Sequence, residues 1–163
     1  MYKLIISIIC VVFVSINANS QQQDTTKTQQ THHLGLHASS LGGIGFSYRY
    51  WPGKLGVQIT TLPIFRKNKG HFLSIGATAL YALKKGKTVD LYAYTGLHYV
   101  SAKSSNNQSG NGLESLNTGV GVGFKINLSE SFNLNIQTGY GFYDLTGQLV
   151  TTIAGGGGLY YSF

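Results

Sequence analysis

The chain has 163 residues, and only 10% of them are Asp, Glu, Lys or Arg, against about 25% in an ordinary soluble domain. Twelve Lys and Arg against 5 Asp and Glu give a formal charge of +7, and this sparse charge accompanies 22 Gly and 12% aromatic residues. That length excludes a two-domain enzyme with a cleft between lobes. The aromatic content excludes a charged disordered tail, and 2 prolines without a triplet period exclude a collagen-like fibre.

Met1-Tyr2-Lys3 is a short positive start, Leu4 to Val14 is an apolar run of 11 residues, and Ser15 to Ser20 is small and polar. This is the three-part layout of a secretory signal peptide, with cleavage expected before Gln21 after Ala18-Asn19-Ser20. The apolar run is too short for a membrane-spanning helix, which needs about 20 residues. Cys10 follows Ile9 rather than a small residue, and this argues against a lipoprotein site. Removing residues 1–20 takes Lys plus Arg from 12 to 11 and formal charge from +7 to +6, and it removes the only cysteine. The mature chain is therefore expected to fold without a disulfide. Residues 21–32, rich in Gln and Thr, carry no apolar side chain and read as a flexible leader.

From residue 33 the hydropathy alternates with period two. Leu116, Thr118, Val120, Val122, Phe124, Ile126 and Leu128 alternate with Asn, Gly and Lys. Phe132 to Tyr143 repeats the pattern, with Phe132, Leu134, Ile136, Thr138, Tyr140 and Phe142 on one face. A strand separates such sets onto two faces, whereas a helix scatters them. Strands over roughly 33–40, 43–51, 54–65, 71–83, 88–100 and 149–163 bring the number to eight, and no segment past residue 20 shows a helical period. Trp51–Lys54, Lys84–Lys87 and Ser129–Ser131 read as tight turns. Ser39–Gly43, Arg66–Gly70, Ser101–Glu114 and Asp144–Gln148 read as loops at the opposite end. The expectation is an all-β, eight-stranded antiparallel up-and-down transmembrane β-barrel over residues 33–163.

Parity decides which face is wet. The apolar set includes Phe46, Tyr48, Ile75, Tyr81, Leu91 and Leu97; the opposite set includes Gly45, Ser47, Ser74, Gly76, Thr78, Tyr92, Gly96 and His98. A soluble outer surface needs about 25–35% charged residues, yet the polar set offers only Arg49, Asp90 and Lys125. Small polar residues suit the confined lumen of an eight-stranded barrel, and the apolar set suits lipid. The signal peptide, the eight alternating strands and the ending Gly-Gly-Leu-Tyr-Tyr-Ser-Phe together resemble the small eight-stranded outer-membrane barrels of Gram-negative bacteria, the OmpX and OmpA-barrel type. The resemblance implies that Leu159, Tyr161 and Phe163 form the signal read by the outer-membrane assembly machinery. It also implies a place in the cell outer membrane, with both termini and the tight turns periplasmic.

Several constellations were weighed for chemistry. Gly-Val-Gly-Val-Gly at 119–123 lacks the following helix and the acidic residue of a dinucleotide site, and reads as inward glycines of a strand. His37-Ala38-Ser39 faintly resembles the His-x-Ser pair of outer-membrane lipid A deacylases. Both residues have inward parity here and no acid stands nearby, so His37 reads as a satisfied interior histidine. His32, His33, His71 and His98 show no metal-ligand spacing. Asp90 and Lys125 approach the periplasmic mouth on neighbouring strands, with Arg49 further round the wall, as candidates for an interior ion pair that plugs the barrel. Arg66, Lys67 and Lys69 on an outward loop would meet lipopolysaccharide phosphates.

The expected protein is a monomeric, non-enzymatic outer-membrane barrel with a side-chain-filled interior and a structural or surface-interaction role. It has no cofactor, no metal and no nucleic-acid partner. A narrow small-solute channel or carrier is the first alternative, and a lipid A-modifying enzyme the second.

Overall fold

The computed structural model describes residues 30–66, 70–104 and 112–163, the side chains of Arg66 and Ser104 excepted. The expected signal peptide, the leader up to residue 29, Lys67 and Lys69 lie outside these residues. Eight strands follow one another: β1 (His32–Ser39), β2 (Gly43–Tyr50), β3 (Leu55–Arg66), β4 (Gly70–Lys84), β5 (Val89–Ser104), β6 (Leu113–Asn127), β7 (Phe132–Tyr143) and β8 (Val150–Ser162). Each pairs antiparallel with the next, and β1 pairs with β8 from His33↔Ser162 to Ser39↔Gly156, so the sheet closes into a barrel. Closure leaves neither end strand with a free edge. Among the described residues there is no helix.

The alternation seen in the sequence becomes two surfaces. Leu36, Phe46, Ile59, Val120 and Leu159 point outward and stay more than 45% exposed, while Ser47, Arg49, Gln58, Thr60 and Asn135 point inward and are buried. An exposed apolar belt around a polar core inverts the arrangement of a water-soluble barrel, and it matches a wall that contacts hydrocarbon. Aromatic rings collect at the lower rim. His32 stacks near Tyr50 at 5.1 Å and Phe163 at 5.7 Å, Phe132 meets Tyr161 at 5.3 Å, and the Tyr48 hydroxyl lies 2.6 Å from His32 Nδ1. Leu159, Tyr161 and Phe163 all lie on this outward face.

Three features differ from the sequence reading. β5 and β6 run further than expected, pairing up to Ala102↔Leu113 and so entering both ends of the segment read as a long loop. His32, read as the last residue of the leader, opens β1 and pairs with Tyr50. The connection between β1 and β2, read as an outward loop, folds into the lumen.

Candidate functional site in the barrel interior

The tip between β1 and β2 consists of Ser40, Leu41 and Gly42. Leu41 is 0% exposed, inside the barrel rather than above it. Glycines on three consecutive strands make room for it. A Cβ on Gly76 of β4 would collide with the Gly42 carbonyl, and one on Gly96 of β5 with the Leu41 carbonyl. On Gly119 of β6 a Cβ would stand 2.7 Å from Leu41 Cδ1. Gly43 reaches the inner face with φ +85°, a conformation that costs glycine nothing and other residues much.

Polar bonds hold the tip at both sides of the lumen. The Ile44 amide donates to Ser74 Oγ at 3.0 Å, and Tyr143 OH donates to Ser40 Oγ at 2.8 Å. His98 Nδ1 lies 3.1 Å from the Ser40 carbonyl, and the Ser40 amide donates to the Gly155 carbonyl at 3.2 Å. Ser39 Oγ accepts the Leu41 and Gly42 amides at 3.3 and 3.2 Å. The tip is thus a stopper near the outer end of the barrel, above a second closure further down.

That lower closure is built on Arg49, which is 0% exposed. Its Nε and Nη2 donate to Gln58 Oε1 at 3.0 and 2.6 Å, and its Nη1 donates to Asn135 Oδ1 at 2.6 Å. Its guanidinium carbon lies 4.4 Å from the Tyr160 ring centroid, 5.6 Å from Trp51 and 5.8 Å from Tyr92. A buried cation is costly unless hydrogen-bonded and electrostatically compensated; here amide oxygens and ring faces take that part. The network continues from Asn135 Nδ2 to Asn133 Oδ1 at 2.8 Å, from Asn133 Nδ2 to Ser162 Oγ at 2.7 Å, and on to His33. In the other direction Gln58 Nε2 donates to Thr60 Oγ1 at 3.2 Å, and Thr60 meets Ser47 at 3.0 Å.

Of the three interior charges read from the sequence, the fold brings two together. Lys125 Nζ lies 2.8 Å from Asp90 Oδ2 at the lower mouth, and Asp90 Oδ1 accepts the Gly86 amide at 3.0 Å. Arg49 joins neither, because the Gln58 and Asn135 side chains reach it first. Gln58, Asn135 and the Trp51, Tyr92 and Tyr160 rings are the site residues that sequence reasoning missed. Inward parity was their only signal, and it does not say which side chains meet across the lumen.

The rings fit because facing strands carry glycine. A Cβ on Gly121 would stand 2.6 Å from Tyr94 Cε1, and one on Gly123 would collide with the Tyr92 ring. Within β7 itself Gly141 makes room for Tyr143, whose nearest ring atom would be 2.6 Å from a Cβ there. His37, read as a satisfied interior histidine, is buried as expected, but neither ring nitrogen has a hydrogen-bond partner among the described residues. Its Nε2 and Thr78 Oγ1 each lie 3.1 Å from where a Cβ on Gly42 would stand, directly under the tip. Tyr94 OH and Gln137 Oε1 are likewise buried without partners. Among the described residues no group of His, Cys, Asp and Glu is arranged to hold a metal ion.

The N-terminal β-barrel domain of Pseudomonas aeruginosa OprF superposes with a TM-score of 0.54 at 14% identity, covering 80% of this chain and 95% of that one. The chain has the fold of the small eight-stranded outer-membrane barrels. Neisserial surface protein A aligns at 20% identity and a TM-score of 0.47, over 82% of this chain and 97% of that one. The Yersinia pestis outer-membrane protein Ail aligns at 22% identity and a TM-score of 0.42, over 81% and 97% respectively. No family model and no curated protein matches the sequence.

Proposed function

We propose that the protein is an integral outer-membrane β-barrel of a Gram-negative envelope, exported by an N-terminal signal peptide. Its role is structural or surface-interacting rather than transport or catalysis. The observation that carries this reading is the doubly stoppered lumen, with the Leu41 tip above and the Arg49 layer below inside an apolar outer belt. An eight-stranded barrel has room for little beyond its own side chains, and these two layers occupy it. Arg66 ends β3 and Lys67 and Lys69 come next in the sequence; phosphate groups of lipopolysaccharide are the partner that the charge of this basic segment suits.

The lipid A-modifying alternative is disfavoured by the commitments of its two residues. Ser39 Oγ accepts two amides of the tip, and His37 faces the lumen rather than lipid. The channel alternative requires a continuous water path, which the tip and the Arg49 layer both interrupt.

The test combines location with conduction. The chain is expected in the outer-membrane fraction, with a folded gel mobility that heating changes, and silent in planar bilayers. Discrete conductance from the unaltered protein would establish the channel reading instead.

A further inference from the structure

The β1–β2 hairpin does more than stopper the lumen. Pairing between β2 and β3 ends at Phe46↔Thr61, although β3 continues to Arg66. The upper part of the hairpin leaves the wall there and leans inward. Gly45 makes this bend with φ +134°, where any Cβ would collide with the Thr61 carbonyl. Pro63 sits on the stretch of β3 that β2 no longer pairs; a proline, having no N–H to donate, is tolerated at such an edge.

An inward lean leaves a dent outside. A trough of about 710 Å³ lies over the hairpin, lined by Leu36, Ala38 and Ile44 of the hairpin itself, by Ile136 and Gly157 of β7 and β8, and by Leu62 on the stretch of β3 that β2 leaves. Its depth on the β8 side comes from Gly157 and its β1 partner Ala38, between the larger Ile136 of β7 and Leu159.

We propose that this trough is a binding site for a single acyl chain of a membrane lipid. It rests on the membrane-barrel reading above, since the trough is continuous with the apolar belt. The alternatives fit less well. A standard protein interface buries about 800 Å² on each partner, more than a dent one hairpin wide offers. A water-soluble ligand would have to enter through apolar surface. An acyl chain is long, narrow and already present, and an unfilled dent would forfeit the dispersion contacts of its lining. The chain and the tip then lie on opposite faces of one hairpin, so the bound lipid props the stopper in its inward position.

The full chain, reconstituted in phosphatidylcholine vesicles with a trace of acyl-chain spin-labelled phosphatidylcholine, tests this by electron paramagnetic resonance. Ala38→Leu and, separately, Gly157→Leu fill the trough and are expected to lower the immobilised lipid fraction. Ala77→Leu, on the outward face of β4 away from the trough, is expected to leave it unchanged. Heat-modifiable mobility verifies that each variant is folded, and Ala38→Val supplies a milder filling should Leu prevent closure. An unchanged immobilised fraction in the folded filling variants overturns the proposal. So does loss of a dimer in sedimentation on the same substitutions, which assigns the trough to a second copy. Failure of the unaltered chain to enter vesicles overturns the membrane-barrel reading itself and is seen separately on the gel.

Discussion

Arg49 and His37 show two ways in which a confined lumen handles polarity. Arg49 spends its planar fork on Gln58 and Asn135 and its faces on Tyr160 and Trp51. A lysine has neither the fork nor the plane, so Arg49→Lys is expected to destabilise the barrel by about 2–3 kcal/mol, read as a lower urea midpoint in vesicles. His37 is the opposite case, a buried ring whose two nitrogens have no partner. A buried unpaired polar group costs about 1–3 kcal/mol, so His37→Phe is expected to hold or raise the same midpoint. Lipid A acyl composition in cells expressing His37→Ala is expected to match that of the unaltered protein. A change in acylation abolished by this substitution would establish the hydrolase. The inward side of Arg49 was legible from parity alone. Gln58 is its cross-strand partner in the β2–β3 hairpin and depends only on that hairpin's register, whereas Asn135 lies on β7, which the sequence cannot set opposite β2 across a lumen.

At the scale of elements, the tip is the part that the sequence concealed. Ser-Ser-Leu-Gly-Gly has the composition of an exposed turn, and nothing local marks it as buried. Its socket is Gly76, Gly96 and Gly119, three inward glycines on three other strands, and only the closed register brings them to one level. Gly96→Val would push against the Leu41 carbonyl, a strain of about 1–3 kcal/mol that expelling the tip relieves. Gly96→Val is therefore expected to lower the urea midpoint in vesicles and to stay silent in planar bilayers, because the Arg49 layer still closes the lumen; discrete conductance from the folded variant would show that the tip is the only effective seal. The outer ends of β5 and β6 were missed for a different reason. Ser101 to Ser104 pair above the apolar belt, where both faces of the sheet can be polar and alternation carries no information.

The whole barrel was the most legible level, because a membrane wall imposes one rule on every strand. Each outward side chain meets lipid and each inward one meets a narrow, mostly polar lumen, so the same parity recurs along all eight strands, with a register shift at Ala82/Lys84. The dent does not follow from that rule. It arises from the lean of a single hairpin, marked by Gly43, Gly45 and Pro63; from the sequence Gly45 reads as one more inward glycine and Pro63 lies within a strand.

The hairpin that carries the tip also borders the β1–β8 seam, where the two ends of the sheet meet. The socket exists only once β4, β5 and β6 are side by side, so Leu41 of the first hairpin has no seat until strands later in the chain have paired. Wall and stopper therefore share β1, the strand that both closes the seam with β8 and leads into the tip.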